Sequence, residues 1–327
     1  MVDIHYGSAL HVYGLAIDAS RKTDAKSLAI THAHSDHVNL SSPGKSYMTG
    51  ETLALVNARY GSPKNPSARP LGKKINSDVK FSFRNSGHIL GSAMVLVEGE
   101  KTALVTSDFK TTDSIVTKAA QPEQCDILVI ESTYGKPEYV FPDRQETYNE
   151  MEKWAKKCLA ENRLVVLCGY SLGKAQELTK FSNEFLGIEP LVHESVFKMN
   201  NVYSEYGSKI GNYILMDHNL KESGVLILPP TLAGKHLFSA LEFSTGKKIS
   251  SAIASGFNAP GFSRSFPLSD HACFPELMEF IESCAPEMVY TFHGFEEELA
   301  RNVTRKLGIP AKPLNSVVKG QSLLQEF

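Results

Sequence analysis

The chain has 327 residues, of which 42% are hydrophobic and 21% are charged, and its formal net charge at pH 7 is -2. This near-neutral balance excludes a global basic field that recruits nucleic acid, so any binding of phosphate must be local. The five cysteines form no CxxC pair, which argues against a disulfide framework and against a cysteine zinc site.

The first residues, MVDIHYGSAL, lack the basic and apolar regions of a signal peptide. No apolar run approaches the roughly 18 residues that a membrane-spanning helix needs. We therefore expect a cytoplasmic protein with no membrane partner.

Short runs rich in β-branched residues dominate the first part of the chain. The predicted strands are 27–31, 79–83, 93–98, 102–107 and 126–132, with a helix near 51–60. Stretches of Gly, Asn, Ser and Pro separate these runs, as is typical of strands joined by loops.

The composition changes after the segment PEYVFPDRQE, where helices and strands begin to alternate. The predicted elements there are helix 143–161, strand 163–168, helix 174–186, strand 191–193 and strand 251–255. Alternation of this kind indicates an α/β unit with a parallel sheet. The chain then returns to a polar, histidine-bearing loop, which helix 274–283, strand 288–293 and helix 295–307 follow. These patterns predict a domain formed by residues 1–142 and 263–327, which an inserted α/β domain at residues 143–262 interrupts.

The motif THAHSDH follows the predicted strand 27–31 and contains His32, His34, Asp36 and His37. At extended spacing His32 and His34 share one face, and a turn can bring Asp36 and His37 back towards them. Imidazole nitrogens together with a carboxylate oxygen suit zinc or a similar divalent ion.

Further candidate ligands lie far along the chain, and each is weak by itself. His88 is bracketed by two glycines in SGHILGS, Asp108 follows the strand TALVTS, and His271 and His293 occur in PLSDHACF and YTFHG. Two metal ions about 3.5–4 Å apart require several ligands and a shared group, so the set as a whole predicts a dinuclear site.

A competing motif is GYSLG at 169–173, which matches G-x-S-x-G between a predicted strand and a predicted helix. Ser171 can then be a serine-hydrolase nucleophile, with His218, His236 or His271 as its base. The alternative is a glycine-rich turn whose N–H groups and Lys174 bind an anion. We favour phosphate binding by Ser171 and Lys174.

The ordered motifs THAHSDH, GHILGS, SDF, ESTYG, GKAQE, SDHA and TFHG resemble those of the metallo-β-lactamase fold nucleases of the β-CASP family. They run from residue 32 to residue 294. Within the family, TYGKPEYVFP, GYSLGKAQEL and SDHACFPEL look most like the short prokaryotic and archaeal exonucleases of the DNA-ligase-associated or RNA-processing type. The resemblance implies a metallo-β-lactamase αββα sandwich with an inserted α/β β-CASP cap domain.

The resemblance also implies roles for individual residues. His32, His34 and His88 would bind one Zn²⁺, whereas Asp36, His37 and His293 would bind a second, with Asp108 bridging the two; Mn²⁺ is an alternative metal. Glu131 would orient His271, which would protonate the leaving oxygen after attack by a metal-bridging hydroxide. From their position we add Ser263 and Ser265 as contacts for a terminal 5′-phosphate.

The expected function is therefore zinc-dependent 5′→3′ exonuclease action on single-stranded DNA or RNA, in DNA repair or RNA processing. Three alternatives stay open: a thioesterase-like metallohydrolase of the same superfamily, a serine hydrolase using Ser171, and a non-catalytic nucleic-acid-binding subunit. Expected partners are the nucleic acid substrate, a second copy of the chain in a homodimer, and DNA ligase or the RNA-processing machinery.

Overall fold

A computed structural model describes residues 3–217, 220–257 and 259–314 of the chain. The strands are β1 (Ile4–Tyr6), β2 (Leu10–Val12), β3 (Leu15–Ile17), β4 (Ser27–Ala29), β5 (Lys45–Met48), β6 (Pro66–Ala68), β7 (Lys74–Asn76), β8 (Lys80–Asn85), β9 (Ala93–Glu98), β10 (Thr102–Val105), β11 (Ile127–Ser132), β12 (Leu164–Cys168), β13 (Leu191–Val192), β14 (Ile214–Leu215), β15 (Val225–Leu228), β16 (Ile249–Ala254), β17 (Arg264–Phe266), β18 (Met288–Gly294) and β19 (Ala311–Pro313). The α-helices are α1 (Gly50–Tyr60), α2 (Arg144–Ala160), α3 (Lys174–Phe181), α4 (Glu194–Glu205), α5 (Lys235–Thr245), α6 (Phe274–Cys284) and α7 (Glu296–Leu307).

The described residues divide into two compact units. The first comprises 3–113, 117–140 and 271–314, and the second comprises 114–116 together with the described parts of 141–270. The mixed α/β class that the sequence predicts is confirmed. The short strand β17, at 264–266, lies in the second unit because it pairs with β16, whereas the predicted boundary assigns it to the last segment.

The first unit contains two sheets. One has six strands in the order β1-β2-β3-β4-β5-β6, and the other has seven in the order β19-β18-β11-β10-β9-β8-β7. Side chains of both sheets meet in one buried cluster, to which Leu15, Phe83 and Val95 contribute. Alternate residues of the second sheet, such as Leu104 and Leu128, face a different cluster with α6 and α7. The central strands are therefore buried on both faces, which explains why they read as continuous apolar runs.

A parallel sheet forms the second unit, in the order β14-β13-β15-β12-β16-β17. Its central strand, β12, is wholly buried. Val165 and Leu167 pack with α2 and α3 on one face, whereas Leu164 and Val166 pack on the other face towards α5. Helices on both faces of a parallel sheet are the arrangement that alternating elements predict.

Sequence patterns missed several of the short strands in the described part of the chain. The hairpin strands β1, β2 and β3 have three residues each, too few to show a period of two. The predicted helix 174–186 is α3 followed by a π-helical turn at Ser182–Leu186. In the part of the chain that the structure describes, no helix is both long and apolar enough to cross a membrane.

Candidate metal centre

The carboxyl ends of five parallel strands in the first unit carry the candidate residues. Asp18 follows β3 and the THAHSDH motif follows β4, which pairs with β3 in parallel. In the second sheet Asp108 follows β10, whereas Glu131 and His293 lie at the ends of β11 and β18. Parallel neighbours end at the same edge of a sheet, which is where ligand sites are commonly built. His88 comes from the loop between β8 and β9.

A tight turn folds the THAHSDH motif back on itself. The N–H of His37 donates to the carbonyl of His34 at 3.2 Å, and Arg59 of α1 donates to the carbonyl of Ala33 at 2.9 Å. Within this turn Nε2 of His37 lies 3.2 Å from Oδ2 of Asp36. The structure thus brings the second half of the motif beside the first, as the sequence predicts.

The carboxylate of Asp108 lies among three imidazole rings. Its Oδ2 is 3.4 Å from Nε2 of His32 and 3.6 Å from the Nε2 atoms of His37 and His88. A further contact of 3.1 Å joins Nε2 of His88 to Nδ1 of His34. Ligand atoms of His32, His34, His88 and Asp108 all lie within 4.8 Å of one another, so one ion can reach all four.

Burial and charge set the protonation of the cluster. Burial lowers the pKa of His34 to about 3 and also holds the pKa of His88 well below its usual value. Burial acts to raise the pKa of Asp108, but His37 and His32 outweigh it and hold that pKa well below its usual range. Burial likewise disfavours the charged form of His37, yet Asp36, Asp108 and Asp18 together raise its pKa well above the usual value. Neutral imidazoles and ionised carboxylates are the forms that bind metal, so His34, His88 and Asp108 are ready to bind, whereas a metal ion must displace a proton from His37.

Unsatisfied polar atoms test whether the site fits a metal ion. In the described residues, four buried side-chain atoms make no hydrogen bond: Nε2 of His32, Oδ1 of Asp108, Nδ1 of His293 and Oγ1 of Thr111. Buried polar atoms in folded proteins nearly always have a partner. Since three of the four belong to predicted ligands, the donor set fits a divalent ion bound by nitrogen and oxygen.

A histidine–carboxylate pair lies beside this cluster. Nδ1 of His271 donates to Oε1 of Glu131 at 2.8 Å, and the N–H of Phe109 donates to the same oxygen at 3.1 Å. The ring of His271 is 4.7 Å from the ring of His88. Glu131 is almost wholly buried, so it can fix both the tautomer and the orientation of His271.

His293 is placed differently from the other predicted ligands. It lies at the end of β18, next to β11, and the groups of mutually close ligand atoms do not include it. Its role as a metal ligand stays a prediction.

Sequence reasoning missed Asp18, which completes a group of close ligand atoms with His32 and His37. Its carboxylate accepts hydrogen bonds from the N–H and hydroxyl of Thr31 at 2.8 and 2.7 Å, from Ser107 at 2.7 Å and from Nδ1 of His37 at 2.9 Å. Since Nδ1 of His37 is engaged, its Nε2 is the nitrogen directed towards Asp36 and Asp108. Asp18 directly follows β3, which at three residues is too short to be recognised in the sequence.

Replacing Asp18 by alanine is expected to lower the free energy of unfolding by about 2–3 kcal/mol, because it leaves buried hydroxyl, N–H and imidazole donors without an acceptor. Urea denaturation followed by circular dichroism measures this change. Asp24→Ala removes an exposed carboxylate and serves as the matched control. A loss below about 0.5 kcal/mol in Asp18→Ala, the range of ordinary surface substitutions, would contradict this account of the Asp18 network.

The predicted phosphate-binding residues lie in the second unit. Lys174 is 2% exposed, and its Nζ lies 2.5 Å from Glu177 and 2.9 Å from Asp270. The structure therefore gives Lys174 two carboxylate partners, and its contact with phosphate stays a prediction. Ser263 is exposed, and Ser265 is half-buried in β17; their phosphate contact also stays a prediction.

Ser171 lies in the turn between β12 and α3, where its carbonyl accepts a hydrogen bond from Gln176 at 3.1 Å. Within the described ranges its hydroxyl makes no hydrogen bond to a histidine. His218 lies outside the described residues, and His236 is exposed on α5. The geometry therefore favours the metal cluster over a Ser171 nucleophile.

Comparison with known proteins identifies relatives along the chain, although no family model matches it. A protein of Opitutus terrae named probable DNA ligase is 29% identical over 323 residues, which cover 94% of this chain and 31% of that protein. An RNase J-like protein of Methanocaldococcus jannaschii is 29% identical over 117 residues, covering 35% of this chain and 28% of that protein. Cleavage and polyadenylation specificity factor 73 of Drosophila melanogaster is 32% identical over 120 residues, which cover 36% of this chain and 17% of that protein.

The chain is similar to nucleases of the β-CASP family of metallo-β-lactamase proteins. The resemblance that the ordered motifs predict is thereby confirmed. The chain spans less than a third of the length of each of the three relatives. A crystal structure of a protein of unknown function from Enterococcus faecalis matches the chain with a TM-score of 0.59 and 13% identity, over 88% of this chain and 79% of that one, which supports a shared fold.

Proposed function

We propose that the protein is a metal-dependent phosphodiesterase that degrades nucleic acid, acting as a 5′→3′ exonuclease on single-stranded DNA or RNA. One observation carries the proposal: Oδ2 of Asp108 lies within 3.6 Å of three imidazole nitrogens. The His271–Glu131 pair beside it supplies a proton donor. Phosphodiester hydrolysis needs both a positive clamp and an acid for the leaving oxygen.

The proposed fold is an αββα sandwich with an inserted β-CASP cap. Packing supports the sandwich, because the two sheets of the first unit share one apolar cluster. On the outer faces, α6 and α7 pack against the second sheet, and Leu53 of α1 packs with Leu28 and Met48 of the first sheet. The cap corresponds to the second unit, with its separate parallel sheet.

Two zinc ions, or manganese ions in their place, are the proposed cofactors. His32, His34 and His88 would hold one ion, Asp36, His37 and His293 the other, and Asp108 both. Bound divalent ions would neutralise phosphate charge and lower the pKa of a water molecule. The buried, unpartnered atoms of His32, Asp108 and His293 support this assignment.

The protein's own residues then orient the acid and the ligands. Glu131 accepts a hydrogen bond from the N–H at Nδ1 of His271, so the proton that His271 can deliver to a leaving oxygen is on Nε2. Asp18 plays the corresponding part for His37. Both carboxylates fix the tautomer of an imidazole rather than contact the substrate.

The names of the relatives support a nucleic acid substrate. Two are named for RNA, as an RNase J-like protein and as a cleavage and polyadenylation factor, and the relative matched over 94% of this chain is named as a DNA ligase. That last likeness favours DNA and an association with DNA ligase within the proposal. A homodimer stays a prediction.

Matched 5′-phosphorylated single strands of DNA and RNA, labelled at either end, test the proposed activity. With zinc or manganese, the 5′ label is expected to appear first in mononucleotides, while the 3′-labelled strand shortens stepwise. A chelator is expected to stop both processes. Thioester hydrolysis without degradation of either polymer would favour the small-molecule metallohydrolase. Chelator-resistant labelling of Ser171 by a fluorophosphonate would favour the serine hydrolase.

A further inference from the structure

The turn that carries His293 has an unusual backbone. His293 has a φ of 58° and Gly294 a φ of 97°, so two consecutive residues occupy the left-handed region. A residue with a side chain adopts this region only when its surroundings impose it, and such residues concentrate at functional sites. The contacts around the turn show what imposes the conformation.

Ser132, in the neighbouring strand β11, contacts the turn through three hydrogen bonds. Its hydroxyl lies 2.9 Å from the carbonyl oxygen of Phe292 and 2.8 Å from that of His293, to which it donates. Its own carbonyl accepts from the N–H of Phe295 at 2.8 Å. One wholly buried serine therefore fixes the chain before, at and after His293.

Gly294 is required by the same contact. A Cβ atom at this position would lie 2.4 Å from the carbonyl oxygen of Ser132, and the strand register shifts here so that Ser132 pairs with Gly294. The bulge brings the two backbones closer than any other residue allows.

Three further contacts close the turn. The N–H of His293 donates to Oε1 of Glu296 at 3.0 Å. The ring of Phe295 stacks on Tyr139 with centroids 5.5 Å apart, and Nζ of Lys136 lies 4.2 Å from the same ring. The segment around His293 is thus fixed on both sides, although Nδ1 of His293 itself makes no hydrogen bond.

We propose that Ser132 is a positioning residue that holds His293 in the left-handed conformation in which it receives a metal ion. The inference rests on the proposed function, because His293 is a metal ligand only in that assignment. Ser132 acts through the backbone of the turn and touches neither metal nor substrate. Loss of its hydroxyl releases the carbonyls of Phe292 and His293 and lets the imidazole leave its place.

Calorimetric titration of the metal-free protein with Zn²⁺ tests this inference without requiring activity. Ser132→Ala is expected to weaken one of two zinc sites by about 10–100-fold, the range for residues that orient metal ligands, and His293→Ala is expected to weaken the same site. The Co²⁺ absorption spectrum should change in both variants. Ser82→Ala, which removes another buried hydroxyl from the same sheet, should leave the binding and the spectrum unchanged.

Wild-type zinc affinity in Ser132→Ala, with or without a lower melting temperature, would overturn the inference, since a merely structural serine changes stability alone. Should Ser132→Ala not fold, Ser132→Cys, with its weaker donor, carries the same test and should show a smaller loss of affinity. If the wild-type protein binds two zinc ions but degrades no nucleic acid, the proposed function is refuted. The titrations of the variants still test the role of Ser132 in that case.

Discussion

Replacement of Asp108 by asparagine is expected to slow nucleic acid cleavage by about a thousand-fold or more while the protein stays folded. Asparagine keeps the size of the side chain but removes the negative charge next to His32, His37 and His88. Bound ions contribute several kcal/mol to the stabilisation of the reaction, and each 1.4 kcal/mol or so corresponds to a factor of ten. Single-turnover rates on end-labelled strands, together with the zinc content of the purified variant, measure the effect.

The matched control for this change is Asp113→Asn. Asp113 bonds to Lys118 at the surface, and its side chain is 54% exposed, so the same chemical substitution there should leave rate and zinc content unchanged. Full activity in a folded Asp108→Asn variant is the outcome that would refute a central role for this carboxylate.

Replacement of His271 by alanine is expected to lower kcat by about 10²–10⁴-fold, the usual contribution of a general acid, while zinc binding is retained. The physical reason is its pairing with Glu131 at 2.8 Å, which fixes the tautomer whose Nε2 proton can reach a leaving oxygen. Rates at saturating substrate and calorimetric zinc titrations separate the two effects.

The choice of substrate sharpens the test of His271. A phosphodiester with a p-nitrophenolate leaving group does not need a proton at the leaving oxygen, so the defect of His271→Ala should largely disappear on it. His236→Ala, which removes an exposed histidine of α5, is the control. An equal defect on both substrates would show that His271 does not act as the leaving-group acid.

Sequence reasoning reached the cluster because its chemistry is local in the chain. THAHSDH places four ligand-type side chains in six positions, and glycines mark the loop around His88. It missed Asp18 and Ser132 because these residues act through partners distant in sequence, such as Ser107 and the carbonyl of His293. Ser107 follows β10, in the other sheet of the first unit from β3, and His293 reaches Ser132 through the pairing of β11 with β18.

The GKAQE motif shows that a local pattern can also suggest a binding role for residues that the fold pairs with one another. Its spacing after a glycine-rich turn predicts an anion-binding lysine, but Lys174 and Glu177 are buried together, and Arg144 and Tyr148 also bond to Glu177. No local pattern reports that Arg144, 33 residues away from Glu177, completes this group. Breaking a buried ion pair leaves an unpaired charge, which strongly destabilises a fold, so such a motif can reflect folding as much as binding.

The division of the first unit between distant parts of the chain affects its synthesis. A ribosome produces β3, β4, β10 and β11 early, then the second unit, and only afterwards β18 with His293. Because domains generally fold as units during synthesis, the second unit can fold while the first still lacks its final strands. Under the proposed function, the metal centre would therefore stay incomplete until nearly all of the described chain has been made, and any cutting of nucleic acid beside the ribosome would be delayed.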